Sequence, residues 1–176
     1  DGIRDGHVTG VQTCALPICK FLEALGYDWK NDPNMIKTPY RVAKMFVNEI
    51  TSGAYSAPPK LAVFPSSGYS GMVIEHGIEV NSLCSHHLLP FTGFCSLAYI
   101  SKENGQVIGL SKLNRIVHWF AKRPQLQEQL TRQIHDYLVN VFGDTVLGIA
   151  VYIEAEHMCV SMRGAEDNST DRKSVV

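Results

Sequence analysis

The chain has 176 residues, 45% of them hydrophobic and 19% charged, the balance of one ordinary globular domain able to bury its own core. A net charge of −1 excludes a broad electrostatic attraction to nucleic acid or to an anionic membrane, so any anionic ligand must be held by a local basic cluster. Five irregularly spaced cysteines argue against a disulfide framework, and no apolar run nears the ~20 residues of a membrane span, so a cytoplasmic protein is expected.

Residues 1–18 (DGIRDGHVTGVQTCALPI) carry no helical or strand period of useful length and resemble a translated sequencing adapter. Residues 171–176 (DRKSVV) have the same look, and both ends are set aside from the fold as a tag would be, with no function expected of His7 or Cys14. From Cys19 the chain becomes regular. Phe21, Leu22 and Leu25 share a helical face, and Gly26 supplies the stop. Asp32-Pro33-Asn34 marks a turn, after which Thr38 is expected to cap a helix with Pro39 at its first position. That helix should run to about Ile50, with Val42, Met45, Phe46 and Ile50 apolar and with Arg41 and Lys44 neighbours on its surface.

Residues 52–70, rich in Gly, Ser and Pro, read as a surface connection. Residues 72–83 read as a strand, the corner Cys84-Ser85-His86-His87 follows, and residues 91–100 read as a second strand. After a turn at residues 103–105 and a short apolar run, Ser111 is expected to cap a helix whose core stripe is Leu113, Ile116, Val117 and Phe120. Pro124 breaks it. A longer helix is expected over residues 125–142, with Leu126, Leu130, Ile134, Leu138 and Val141 inward and Gly143 at its end. Residues 146–153 and 157–163 complete the sheet, and the run 149–162 taken together reads as strand. Two antiparallel-looking strand pairs with helices between them indicate an α+β domain.

The chemistry concentrates at Cys84–His87 and at His157-Met158-Cys159. Side chains at i and i+2 of a strand leave from one face, so His157 and Cys159 are expected to address one point. Thiolate and imidazole are preferred zinc ligands, and three of them leave a fourth position for a reactive water. Spacing alone does not choose between His86 and His87, nor exclude a closed site with His86, His157 or Cys95 as a fourth ligand. His118 and His135 read as surface or packing residues, His76 as an ordinary strand or loop histidine, and Cys95 as a buried thiol.

Five blocks, in order, resemble the GTP cyclohydrolase I family: Thr38-Pro-Tyr-Arg-Val-Ala-Lys-Met45, Cys84-Ser-His-His-Leu-Leu-Pro-Phe91, Ile108-Gly-Leu-Ser-Lys-Leu-Asn-Arg115, Arg123-Pro-Gln-Leu-Gln-Glu128 and His157-Met-Cys-Val160. The resemblance implies a T-fold, an antiparallel sheet with two long helices on one face and helices at the N-terminus. It also implies a toroidal homo-oligomer, a decamer by the family pattern, with active sites between subunits. The reaction implied is hydrolysis of GTP to formate and dihydroneopterin triphosphate, the first step towards folate or biopterin. By position, Cys84, His87 and Cys159 would hold Zn2+, and His86 and His157 would carry the acid–base work. Glu128, with Gln127 beside it, would hold the guanine edge. Arg41, Lys44, Ser111, Lys112, Arg115 and Arg163 would meet the triphosphate.

Ser85 stands where many relatives have Glu, which implies altered tuning around the ligands rather than loss of zinc. The matching sequence stops near Thr170, so residues 19–170 are expected to form a C-terminally truncated domain of this family. Two other readings are a non-catalytic, zinc-stabilised T-fold module and a related T-fold enzyme acting on another purine or pterin.

Overall fold

The computed structural model describes residues 10–176 in full and residues 2–9 by their helical backbone alone; His7 therefore lies outside the fully described residues. The chain forms two compact units divided after Ser52. In the first, helix α1 (Gly2–Ala24) runs through the stretch in which the sequence shows no period, with Pro17 inside it. Only Val11 and Leu22 of its described side chains are buried. The expected stop is present. Gly26 adopts φ 82°, and the Tyr27 and Gly26 amides donate to Leu22 O and Glu23 O, the paired bonds that close a helix on a left-handed residue.

Helix α2 (Thr38–Met45) continues into a π-helical turn (Phe46–Ile50), matching the expected span. Its cap differs. Lys37 occupies the N-cap without a side-chain bond, because the turns begun at Asp32 already deliver Thr38 in helical register, its amide donating to Met35 O at 2.8 Å. Such one-residue shifts at helix ends are ordinary.

The second unit is built on a five-stranded sheet ordered β5-β2-β3-β6-β7: β2 (Met72–Cys84), β3 (Pro90–Ser101), β5 (Pro124–Gln125), β6 (Val146–His157) and β7 (Arg172–Val175). Strands β1 (Val63–Pro65) and β4 (Gln106–Ile108) pair separately. All sheet pairings are antiparallel except β5 with β2, where Pro124 and Gln125 lie beside Leu83 and Cys84. That pairing keeps Gln125 out of the following helix, so α4 spans Gln127–Phe142 rather than starting at residue 125.

Helix α3 (Leu110–Ala121) is capped by Gly109 in extended conformation, and Ser111, the expected cap, is already inside it. The stripe Leu113, Ile116, Val117 and Phe120 is buried as its spacing requires, and α4 adds Leu130, Ile134 and Leu138. Both helices cover one sheet face, presenting these residues to Val80, Phe91, Leu97, Val151 and Ile153. Each wholly buried aliphatic or aromatic side chain contributes about 1.5–3 kcal/mol. The architecture is the α+β T-fold that the resemblance implies.

Two further expectations change. The strand expected over residues 157–163 does not form: β6 ends at His157 and the chain turns into a short helix, α5 (Met158–Ser161). Residues 172–175, set aside as a tag, pair with β6 as the edge strand β7. Among the described residues no helix is long and apolar enough to cross a membrane.

Candidate metal centre and its surroundings

Cys84 closes β2 with 5% of its surface exposed, and its backbone ties the corner that follows. Its amide donates to Leu89 O, while its own carbonyl accepts from the His87 and Leu88 amides. The corner is tight enough to hold Leu88 at φ 54°, a left-handed conformation that costs a branched residue about 1–2 kcal/mol. Ser85 points to solvent, and its amide donates to Gln125 O on the parallel strand β5.

Cys159 reaches this corner by a different route from the one its spacing suggests. The register Phe91↔His157 sets the end of β6 beside the start of β3. The turn of α5 then brings Cys159 back, so that ligand atoms of Cys84, His87 and Cys159 lie within 4.8 Å of one another. With bonds of about 2.3 Å to sulfur and 2.0–2.1 Å to nitrogen, a tetrahedral zinc needs such atoms about 3.5–3.8 Å apart. The three side chains therefore fit the ion after a shift of about 1 Å or less. Among the described residues no fourth Cys, His, Asp or Glu joins the group. Cys95 lies elsewhere on β3 with no exposed surface, and burial pushes its thiol up to about 12.

Burial, and then the Cys84 thiol beside it, raise Cys159 above the ordinary thiol range. Two sulfurs held this close resist joint ionisation until a cation neutralises them, as expected of metal ligands that release protons on binding. Arg163 donates from Nη1 to His87 Nε2 at 3.0 Å. His86 is exposed, with Nδ1 3.9 Å from Cys84 Sγ, outside the three-residue group.

His157 is held from two sides. Phe91 stacks on its ring, with centroids 4.7 Å apart and planes 10° from parallel, and its Nε2 lies 2.8 Å from Gln127 Oε1. Burial first, then the Arg172 guanidinium, lower its pKa from the ordinary value, while Glu128 acts in the opposite sense. Glu128 stands in the first turn of α4, half-exposed and ion-paired with Arg172 Nη2. Gln127, expected beside Glu128 at the base, instead points inward with 1% exposure.

The cationic residues of the second unit do not converge within it. Asn114 of α3 donates to Glu75 Oε1 on β2, while Ser82 Oγ donates to Ala121 O at the other end of the helix. Helix α3 thus runs along β2 with Ser111, Lys112 and Arg115 near Glu75, about 20 Å of strand away from Ser82 and the Cys84 corner. Of the predicted cations in the second unit, only Arg163 is at the metal group. Arg41 and Lys44 are exposed on α2, in the first unit. On the sheet face away from the helices, a shallow cleft lined by Glu79, Asn81, Phe94, Glu154, Glu156 and Asp171 holds none of the predicted site residues.

Two participants were not anticipated. Phe91 is legible afterwards, as the apolar position paired with His157. Arg172 had no signal, because it lies in the segment set aside.

The family model for GTP cyclohydrolase I matches residues 16–175. Among curated proteins the chain is 48% identical over 148 residues to GTP cyclohydrolase 1 of Flavobacterium johnsoniae, covering 83% of this chain and 64% of that protein. It is 46% identical over 159 residues to the enzyme of that name from Pseudoalteromonas translucida (88% and 83% covered) and 43% identical over 166 residues to that of Chlorobaculum tepidum (93% and 70%). The chain thus spans a little under two thirds of the length of the Flavobacterium johnsoniae protein and rather more of the other two.

Proposed function

The chain belongs to the GTP cyclohydrolase I family, and from that premise we propose that it hydrolyses GTP at guanine C8, giving formate and 7,8-dihydroneopterin triphosphate. The observation that carries the proposal is the meeting of Cys84, His87 and Cys159, with no fourth protein ligand among the described residues, two residues from a half-buried, doubly held imidazole. In this reading the three side chains hold Zn2+. When bound, zinc supplies the Lewis acidity that makes water a nucleophile at neutral pH. His157 and His86 exchange protons with the opening imidazole ring of the base, the general acid–base work to which imidazole side chains are suited. Glu128 accepts from the guanine N1–H and 2-amino group, for which it must leave Arg172. Gln127 supports this edge from inside the protein.

The triphosphate needs several cations, and of those in the second unit Arg163 alone stands by the metal group. Ser111, Lys112 and Arg115 lie towards the far end of β2, and we assign them, with Arg41 and Lys44, to the same phosphate site. The α3 residues stand away from the metal group of their own chain, and in this reading a second copy supplies them across a subunit boundary. This separation supports the toroidal homo-oligomer, with a decamer as its expected form. All five cysteines are unpaired, which supports a reducing, cytoplasmic setting.

Incubation of the zinc-loaded protein with GTP should release formate and give a pterin that fluoresces after oxidation. A loaded, folded protein that binds GTP without releasing formate would reject the hydrolase and leave a zinc-stabilised binding module.

A further inference from the structure

A buried side-chain amide must find partners for two N–H donors and one oxygen, and Gln127 finds all of them within the protein. Its Nε2 lies 3.0 Å from Ile153 O, 2.8 Å from Arg172 O and 3.1 Å from Ser174 Oγ. Main-chain carbonyls only accept, so the atom facing Ile153 O and Arg172 O is the amino group. A flipped amide would set its oxygen against both. The orientation leaves Oε1 as the atom 2.8 Å from His157 Nε2. An acceptor there requires a hydrogen on Nε2, and the neutral ring then carries its lone pair on Nδ1. Thr131 closes the network, donating to Gln127 O at 2.8 Å and lying 2.6 Å from Ser174 Oγ, so no polar group in it is left bare.

We propose that Gln127 is a positioning residue that fixes His157 as its Nε2–H tautomer and presents Nδ1 to the substrate. The inference rests on the reading of His157 as the acid–base group and adds the atom at which it works. The edge strand β7 belongs to the same device, because Arg172 O and Ser174 Oγ are two of the three groups that orient the amide. Such supporting partners act through the residue they hold, and their loss typically lowers activity by about 10–100-fold.

The test uses the full-length, zinc-loaded chain labelled with 15N-histidine, whose long-range proton–nitrogen spectrum distinguishes the two tautomers. The wild-type His157 signals should show hydrogen on Nε2; hydrogen on Nδ1 would overturn the proposal. Gln127→Met keeps length and removes the acceptor. It should shift the His157 signals towards a tautomer mixture and lower kcat by about 10–100-fold, with zinc content unchanged and KM for GTP within about threefold. Unchanged His157 signals with a raised KM and an intact kcat would instead make Gln127 a substrate contact and sink the idea. If Gln127→Met does not fold, the wild-type spectrum decides alone. A protein that turns over no GTP would fail the proposed function while leaving that spectrum fully interpretable.

Discussion

Cys84, His87 and Cys159 meet because two turns face each other at one end of the sheet, whereas Gln127, Glu128 and His157 meet because an edge strand lies across the start of a helix. The first group depends on local backbone: a corner pinned through both polar groups of Cys84, and one helical turn after β6. The second depends on pairing between β6 and residues 172–175, which brings Arg172 to Glu128 and Ser174 to Gln127. A centre built from turns keeps its shape when distant segments change. One built on an edge strand holds it only while that strand stays docked. The two ends of the site should therefore fail independently.

The largest effect is expected from Cys159→Ala. With two ligands left, zinc content should fall from about one per chain to near zero. Turnover should fall by at least about a thousandfold, the equivalent of the several kcal/mol of charge stabilisation a bound metal supplies. GTP binding, measured by calorimetry, should survive within a few-fold because the base and phosphate contacts remain. Loss of binding together with the metal would show that the two ends form one unit and break the comparison. Glu128→Gln probes the other end. It removes an ionised acceptor, and hydrogen bonds to charged groups are worth about 1.5–3 kcal/mol, so KM should rise about tenfold to a hundredfold. Zinc content should not change.

This asymmetry also explains what could be read in advance. Cys84, His87 and Cys159 announce themselves by residue type, and the match of blocks separates His87 from His86. The route by which they meet was not legible. Alternation from Ile149 onward continues past His157, and only the pairing of β3 with β6 ends the strand there, so Cys159 arrives on a helical turn instead of sharing a strand face. The helices on the sheet followed from their apolar period, since burial of one stripe dictates one face. The caps expected at Thr38 and Ser111 moved by one and two residues, to Lys37 and Gly109, because backbone turns, not side-chain hydroxyls, satisfy those helix starts. Least legible was β7. Its sequence carries no strand pattern that composition could single out, and its role comes entirely from what it lies against.

The smallest effect tests that strand most directly. Arg172 and Glu128 form an ion pair in which both side chains are more than half exposed, 61% and 51%, so it contributes little to stability, at most about 1 kcal/mol. Its consequence is competitive: the guanidinium occupies the carboxylate proposed to receive the guanine edge. Arg172→Ala should therefore lower KM for GTP by about twofold to fivefold, the fold-change that ~0.4–1 kcal/mol produces. Added salt screens the phosphate contacts in both proteins but the ion pair only in the wild type, so it should narrow the KM difference between them. Because Gln127 takes the backbone carbonyl of residue 172 and not its side chain, the plateau kcat should stay unchanged, while loss of the guanidinium that, after burial, lowers the His157 pKa should move the pH profile upward. A fall in kcat with Arg172→Ala would mean that the side chain, and not only the main chain, keeps β7 docked on the start of α4.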